Sequence, residues 1–166
     1  FLGALMVQRC IHISIGEQQL TLQDGTAQLG CWQISSASAG VGEQTGSGCT
    51  PLGLHRVRIK IGAGLPENAV FVGRRATGEV YSAELAAAHP ERDWILTRIL
   101  WLQGLEWGRN RGGQVDTLRR YIYIHGTPDT EPMGVPASHG CIRMRNADLL
   151  ELFEQVEPNT EVRIEA

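Results

Sequence analysis

The chain has 166 residues, 42% of them hydrophobic and 20% charged, which is enough for one domain that buries its own core without disulfides or metal. Its formal net charge is −3, so it presents no basic field for a nucleic acid and we expect no such partner. Residues 1–7 are apolar but too few for a complete signal peptide or a membrane span, so two interpretations stay open: the remnant of either, or the first strand. No other stretch is long and apolar enough to cross a bilayer.

The first third of the chain predicts antiparallel strands. Residues 8–15 and 18–23 alternate apolar and polar side chains across a short turn. Asp24-Gly25 marks a second hairpin that leads into residues 27–36. Three consecutive strands joined in this way indicate a meander. The stretch that follows, residues 37–50, is rich in glycine, serine and threonine, which is typical of a long loop.

The middle of the chain predicts more strands around one short helix. Residues 54–61 alternate apolar and basic side chains, so one face of the strand is predicted to be solvent-exposed and the other buried. His55 is predicted to be an inward or rim histidine with a satisfied hydrogen bond. Residues 69–73 and 79–82 predict a hairpin. A brief alanine-rich helix is predicted over 84–89, and residues 94–103 have the length and apolar character of a buried strand.

A tryptophan-containing stretch leads from this strand to the next. Trp101 is predicted to be a core residue, whereas Trp107 lies among glycine, arginine and asparagine residues, where a core position and a groove-lining position are both open. Residues 109–114 predict a surface loop that could cover a neighbouring site as a flap.

The last third of the chain predicts the residues that carry chemistry. Residues 121–124 alternate aromatic and β-branched side chains and predict a strand that places His125 at its end, on the face of Tyr121 and Tyr123. After a loop rich in proline and glycine, Ser138-His139-Gly140-Cys141 sets a thiol beside a glycine that exposes backbone N–H groups. The pattern predicts a nucleophile with an oxyanion hole.

The chain ends in a predicted helix and strand. Asn146 is predicted to be the N-cap of a helix that ends before Pro158, and the strand lies around residues 162–164. Together these elements predict a mainly β fold, an antiparallel β-sandwich or distorted barrel with a helix after Cys141 and short flanking helices.

The residue types indicate thiol acyl chemistry. A thiol has an ordinary pKa of about 8.5, so an imidazole that accepts its proton or pairs with the thiolate makes it more reactive. His139 is too close in sequence to Cys141 to aim its ring easily at the sulfur, so we predict that His125 is the base and that it makes the thiol unusually acidic. The N–H groups of Gly140 and Cys141 are predicted to stabilise the oxyanion.

These motifs resemble a known family. His-Gly-Thr from His125, a glycine-containing spacer, and Ser-His-Gly-Cys-Ile-Arg-Met through Cys141 are similar to the signature of the L,D-transpeptidase catalytic domain of bacterial cell-wall enzymes, and Thr50-Pro51-Leu52-Gly53 resembles that family's Thr-Pro-x-Gly turn. The resemblance covers nearly the whole chain, but it does not extend to residues 63–114. His55 also stands where relatives often carry an aromatic residue.

The resemblance implies residue roles for the whole site. It implies that Cys141 is the nucleophile, that His125 is its general base, and that Ser138, His139 and Gly140 shape the oxyanion loop. Arg143 is implied to hold the site and an anionic substrate. We add two substrate-binding residues from the same strand, Tyr123 and Gly126.

The resemblance also implies a function and a partner. One catalytic domain over residues 1–166 would act on peptidoglycan stem peptides in the periplasm or cell envelope, through a thioester, with no cofactor and no metal. The product would be a 3-3 cross-link or an anchored protein when an amine is the acceptor. We expect a monomer.

Other functions compete with this one. Water as the acceptor would make the chain an L,D-carboxypeptidase, and the same fold without turnover would be a cell-wall-binding module. A zinc site built from His125, His139 and Cys141 has legitimate ligands, but the closely spaced cysteine pairs of structural sites are absent.

The other three cysteines are an odd number once Cys141 stays free, so they can form at most one disulfide. Cys10 and Cys31 are predicted to be small buried hydrophobes. Cys49, in the polar loop, is the candidate for pairing or modification.

Overall fold

The computed structural model describes residues 8–166, and the expectation for residues 1–7 lies outside that range. In residues 8–166 the chain forms ten strands and two α-helices. The strands are β1 (Arg9–Ser14), β2 (Gln19–Asp24), β3 (Ala27–Ser35), β4 (Gly53–Ile61), β5 (Ala69–Val72), β6 (Arg75–Val80), β7 (Ile95–Gly104), β8 (Tyr123–Thr127), β9 (Ile142–Arg145) and β10 (Glu161–Glu165). The helices are α1 (Ala83–Ala88) and α2 (Asn146–Gln155), and Gly113–Val115 forms a short 3₁₀ turn.

All ten strands belong to one sheet in the order β4-β10-β1-β2-β3-β9-β8-β7-β5-β6, and a further pairing of β4 with β7 closes it. The closed part is a barrel of eight strands, and the β5–β6 hairpin extends from it beside β7. The mainly β class and the distorted barrel are therefore confirmed.

The pairing is not antiparallel throughout. β1 pairs with β10 and β8 pairs with β9 in parallel. Alternation within a strand predicts its two faces but not the direction of its neighbour, which depends on how the connecting segment returns. Here the connection between β8 and β9 is the loop that ends at Cys141, so the parallel pair is also the pair that builds the site.

The two faces of the sheet carry separate apolar clusters. The inner cluster fills the barrel with side chains from all eight of its strands and from one side of α2. The outer cluster is smaller and lies where β5, β7 and β8 meet. Its buried members are Ala69, Phe71, Ile99 and Tyr123, and Ile95, Trp101 and Cys141 pack against them. Cys141 thus has an apolar wall on the outside of the barrel.

Most predicted element positions are confirmed to within two residues, but the predicted cap is wrong. Arg145 is the N-cap of α2 and makes no side-chain capping bond. The Asn146 side chain is buried instead, where it accepts from Thr97 Oγ1 at 2.7 Å and donates to Asn68 Oδ1 at 3.0 Å and Thr127 O at 3.1 Å. It ties the starts of β5 and α2 to β7 and β8.

The cysteine predictions hold only in part. All four cysteines in residues 8–166 are free thiols. Cys10 is half-buried, but Cys31 is exposed, because it pairs with Thr21 on the outer face of the sheet, while the adjacent Trp32 packs on the inner cluster. Burial and the neighbouring Glu161 carboxylate raise the pKa of Cys10 to about 11.

Candidate active site

Two parallel strands, β8 and β9, position the candidate residues. His125 is paired with Arg143 and Ile124 with Ile142. Because side chains alternate along a strand, Ile124 and Ile142 point into the barrel and are fully buried there, while His125 and Arg143 share the opposite face. Cys141, just before β9, has the parity of Arg143 and lies on that outer face. The strand that the sequence predicts to carry His125 therefore does bring it to the face of the thiol.

The Cys141 thiol is half-buried and held by backbone groups. Tyr123 N–H donates to its sulfur at 3.3 Å, and the S–H donates to Tyr121 O at 3.4 Å. Burial raises the pKa of Cys141 to about 12, and the Asp93 carboxylate adds to the rise, against smaller opposing effects of the Tyr123 N–H and nearby arginines. The predicted acidic thiol is wrong for this state of the protein, since desolvation outweighs every group that favours the thiolate.

His125 is buried, with 2% of its surface exposed. Its Nδ1–H donates to Gly126 O at 2.6 Å, and because a carbonyl can only accept, this bond fixes the tautomer and leaves Nε2 free to take a proton. Burial lowers the pKa of His125, although the Gly126 carbonyl and the Asp93 carboxylate act in the opposite direction. No hydrogen bond within residues 8–166 joins this ring to Cys141. Thiol and imidazole are therefore both neutral at rest.

Ser138 and Gly140 shape the loop in front of the nucleophile. Ser138 is buried, and its hydroxyl donates to Cys141 O at 2.6 Å while accepting from Gly140 N–H at 3.2 Å. The Gly140 N–H is thus already used, which departs from its predicted role as an oxyanion donor. The Cys141 N–H has no acceptor within residues 8–166. Gly140 has φ +134°, and a Cβ there would lie 3.3 Å from Ile122 Cδ1, so glycine suits this turn for two reasons.

Thr50, in the glycine-rich loop, supports the same turn from behind. Its hydroxyl donates to Gly140 O at 2.9 Å and accepts from Ala37 N–H at 3.0 Å. The threonine is fully buried. The Thr-Pro-x-Gly resemblance pointed to this position, but nothing in the sequence showed that it reaches the nucleophile loop.

A charged cluster surrounds the thiol on its other side. Asp93 Oδ1 accepts from Arg143 Nη2 at 3.0 Å, and Asp93 Oδ2 lies 3.2 Å from His139 Nδ1. Arg143 also contacts Glu131 at 3.6 Å and donates to Ala137 O at 3.2 Å. Arg143 has only 6% of its side chain exposed, so a substrate carboxylate would have to displace one of these partners. Its predicted substrate-binding role stays a prediction.

Gly126 and Tyr123 also stay predictions as substrate contacts. A Cβ on Gly126 would lie 2.6 Å from Leu96 O and would overlap Asn146 Oδ1. The position therefore needs glycine for packing, and its carbonyl orients His125. Tyr123 is 3% exposed, and its hydroxyl accepts from Arg74 Nη1 at 3.2 Å.

Arg74 lies in the turn of the β5–β6 hairpin and connects that hairpin to the site. Its guanidinium is 4.5 Å from the centre of the Tyr121 ring and 5.2 Å from that of Trp101. Planar guanidinium groups stack well on aromatic rings. This contact holds the hairpin over the strand that carries His125. Trp101 is half-buried in the outer cluster, and Trp107 is 74% exposed on the 105–112 turn.

Two cavities flank the Asp93–His139 pair. One, of about 380 Å³, lies between the β5–β6 hairpin and residues 92–95 and includes Asp93 in its lining. The other, of about 360 Å³, lies between the glycine-rich loop and Arg120 and includes His139. Arg120 fixes that loop by donating to Cys49 O at 2.7 Å and Gly42 O at 3.2 Å. The two cavities thus adjoin Asp93 and His139, and Cys141 itself is in the lining of neither.

Sequence reasoning missed Arg74, Asp93 and Arg120, and it found Thr50 only through the Thr-Pro-x-Gly resemblance, without its contact to the nucleophile loop. The three missed residues contact the site through the sheet or through a loop distant in sequence, so no local pattern marks them. The one usable signal was the position of Asp93 directly before the apolar strand β7. His55, by contrast, is buried as predicted, with its Nδ1–H donating to Gly53 O at 3.0 Å and its Nε2 3.0 Å from the Thr117 hydroxyl.

Two further properties of residues 8–166 concern metal and membrane. Within this range no group of three or more His, Cys, Asp or Glu side chains is placed to hold a metal ion. Neither α1 nor α2 has the length and apolar character that crossing a bilayer demands, and the described chain has no other α-helix.

The fold and site define a class of protein: an eight-stranded barrel that carries a cysteine and a histidine on neighbouring parallel strands. Comparison of this chain with known protein families identifies the family within that class. Residues 8–164 match the sequence model of the YkuD family, described as the L,D-transpeptidase catalytic domain. The chain belongs to this family.

Individual relatives are similar over different lengths. A segment of 44 residues is 46% identical to the probable L,D-transpeptidase YbiS of Escherichia coli K12. This segment is 26% of this chain and 14% of that protein. An L,D-transpeptidase from Xylanimonas cellulosilytica superposes with a TM-score of 0.59 at 18% identity, over 95% of this chain and 60% of that one. L,D-transpeptidase 3 from Mycobacterium tuberculosis, in complex with a faropenem-derived adduct, superposes with a TM-score of 0.59 at 14% identity, over 96% of this chain and 60% of that one. The chain thus spans less than two thirds of these relatives.

Proposed function

We propose that this chain is a cysteine-dependent L,D-transpeptidase that acts on the tetrapeptide stems of peptidoglycan. The observation that carries the proposal is the shared outer face of β8 and β9, where His125, with Nε2 unbonded, and Cys141 lie on neighbouring strands against an apolar wall. Family membership supplies the reaction class, and these residues supply the chemistry.

The proposed reaction begins from a neutral thiol and a neutral imidazole. Cys141 gives its proton to His125 Nε2 as its sulfur attacks the carbonyl carbon of the L,D bond after the third stem residue, and a C–S bond forms. The negative charge on the carbonyl oxygen is stabilised by the Cys141 N–H, which has no acceptor within residues 8–166. The C–N bond then breaks, and the His125 proton passes to the departing D-amino acid, which leaves a thioester.

The second half of the proposed reaction transfers the acyl group. An amine on another stem loses a proton to His125 and attacks the thioester carbonyl carbon, so that a C–N bond forms and the C–S bond breaks. The proton then passes from His125 to the sulfur, which regenerates the thiol. Family membership favours this transpeptidase reaction. The alternative is an L,D-carboxypeptidase, in which water takes the place of the amine.

The setting of this reaction is also part of the proposal. The substrate is a component of the cell wall, so the enzyme would work in the periplasm or cell envelope, as a monomer and as one catalytic domain. Substrate contacts are assigned to the Tyr123 and Gly126 region of β8 and to Arg143, which would exchange one of its carboxylate partners for a substrate carboxylate.

The test is incubation of the protein with a purified disaccharide-tetrapeptide, followed by mass spectrometry of the products. A cross-linked dimer supports the transpeptidase, and a tripeptide supports the carboxypeptidase. Cys141→Ser is expected to abolish either product. The matched control is Cys31→Ser, which changes an exposed thiol on β3 and should leave turnover intact. If the unaltered protein consumes no substrate and forms no acyl-enzyme, the proposal is wrong and the non-catalytic wall-binding alternative gains support.

A further inference from the structure

Asp93 contacts one residue on each side of the nucleophile in the sequence. Its two carboxylate oxygens contact two different residues: Oδ1 binds Arg143, and Oδ2 binds His139. His139 lies two residues before Cys141 and Arg143 two residues after it. One carboxylate therefore fixes both ends of the five-residue segment that carries the thiol.

The same carboxylate is coupled to the base. Arg143 is the register partner of His125 across the β8–β9 pair, so the Asp93–Arg143 contact lies beside the imidazole. Burial alone would raise the pKa of Asp93, but the hydrogen bond with His139 and the nearby Arg143 guanidinium lower it. Asp93 is therefore ionised at neutral pH.

We propose that Asp93 is a positioning residue of this site: it holds His139 and Arg143 on either side of Cys141 and supplies the negative charge that the His125 imidazolium needs after taking the thiol proton. The inference rests on the proposed function, since it assigns Asp93 a part in that proton transfer. Asp93 neither accepts a proton nor touches the reacting atoms.

Several other groups act on the same proton transfer and have to be considered with Asp93. Arg143, on β9, disfavours the His125 imidazolium because both are positive, and Arg143 in turn contacts Glu131. Arg120, in the segment before β8, favours the Cys141 thiolate. His139 and Tyr123 are the remaining titratable neighbours. Within this set Asp93 is the carboxylate that disfavours the Cys141 thiolate while favouring the His125 imidazolium. Its removal should thus affect the two partners in opposite ways.

This opposition separates an electrostatic role from a purely structural one. Asp93→Asn keeps the shape and retains an oxygen for Arg143 but removes the charge. Without the charge the thiolate forms more easily, so the pH midpoint for alkylation of Cys141 by iodoacetamide should fall by about one unit. The imidazolium is at the same time less stable, so acylation by the disaccharide-tetrapeptide should slow about tenfold. A disordered site would also expose the thiol and lower its alkylation midpoint, since burial is the largest cause of the raised pKa of Cys141. The electrostatic role therefore also requires that Asp93→Asn keeps the Tm of the unaltered protein and that Asp93→Glu restores both profiles.

The experiment measures both rates against pH by intact-protein mass spectrometry, in a Cys31→Ser background that removes the exposed competing thiol. Asp93→Glu should restore acylation to within a few-fold of the unaltered protein, since it keeps the charge. The control is Glu91→Gln, a neighbouring carboxylate whose side chain is 71% exposed, and it should leave both profiles unchanged.

The outcomes distinguish the two proposals. An unchanged alkylation midpoint in Asp93→Asn, or a loss of both reactions that Asp93→Glu fails to restore, overturns the role of Asp93. If the unaltered protein is not acylated at all, the proposed function fails, and the alkylation midpoint still decides whether the Asp93 charge acts on Cys141.

Discussion

Replacing Thr50 with valine tests how the nucleophile loop is held. The Thr50 hydroxyl bonds both Gly140 O and Ala37 N–H from a fully buried position. The Gly140 carbonyl and the Cys141 N–H belong to one planar peptide unit, so a bond that fixes the carbonyl also fixes the direction of the N–H. Valine keeps the shape of threonine and removes both hydrogen bonds.

The expected effect can be worked from these two bonds. In Thr50→Val, Gly140 O and Ala37 N–H stay buried without their partner, and each such group costs about 1–3 kcal/mol. Using the lower half of that range, since the loop can shift slightly, we expect a loss of about 2–4 kcal/mol and a fall in Tm of roughly 4–16 °C. Full loss of an oxyanion donor slows catalysis about 10²- to 10³-fold, so a loosened one should slow acylation by about 10- to 100-fold.

The assay combines thermal unfolding with single-turnover acyl-enzyme formation, measured by mass spectrometry below the Tm of the variant. Thr130→Val is the matched control, because Thr130 is exposed and its side chain makes no hydrogen bond within residues 8–166. The control should stay within about 0.5 kcal/mol of the unaltered protein. If Thr50→Val loses stability but acylates at the unaltered rate, Thr50 does not orient the Cys141 N–H and the assignment of that N–H to the oxyanion is refuted.

Three other predictions address separate parts of the molecule. Burial lowers the pKa of His55 to about 4, so between pH 6.5 and 4 the unfolded chain binds a proton that the folded chain does not, and stability should fall by about 3 kcal/mol over that range. Urea unfolding across pH should show a shallower decline in stability for His55→Gln than for His12→Gln, which changes a half-exposed histidine on β1. Equal declines would contradict the lowered pKa of His55. Gly126→Ala forces a Cβ against Leu96 O and should destabilise the protein by about 1–3 kcal/mol in the same measurement, whereas an unchanged Tm would mean that the strand gives way freely. Arg74→Ala should raise KM for the tetrapeptide several-fold with a smaller effect on kcat, because it releases the hairpin rather than the reacting atoms, and a selective loss of kcat would place Arg74 in the chemistry instead.

The sequence predicted most elements well because each strand carries its own local pattern, either alternation or a continuous apolar run of strand length. Residues 54–61 and 94–103 could be read as strands from their local side-chain pattern, and the structure places β4 and β7 within a residue of those limits. The same logic located His125, since a residue two after a buried tyrosine on a strand must share its face. Local patterns were sufficient to predict the limits of these strands and the face on which His125 lies, because both depend on a single strand.

The parts that were missed depend on how strands and loops come together. Asp93 reaches Arg143 only because β7 pairs with β8 and β8 with β9. The parallel direction of the last pair has no signature in either strand. Cys31 lies in an apolar-looking stretch, yet it is exposed because it faces the outside of the sheet beside Thr21. A sequence pattern records which side of a strand is apolar, and it does not record whether anything covers that side.

The raised pKa of Cys141 changes what the histidine has to do. A preformed thiolate would need only access to substrate, but a neutral thiol reacts when a proton acceptor and a stabilised oxyanion are both present. His125 is kept neutral by burial and oriented by Gly126 O, so it can accept that proton but gains little from doing so until charge develops on the substrate. Reactivity is then tied to a bound acyl group, and the resting thiol is protected from small electrophiles. The slow alkylation of Cys141 expected at neutral pH and its fast acylation by the stem peptide are, on this reasoning, two consequences of the same buried pair.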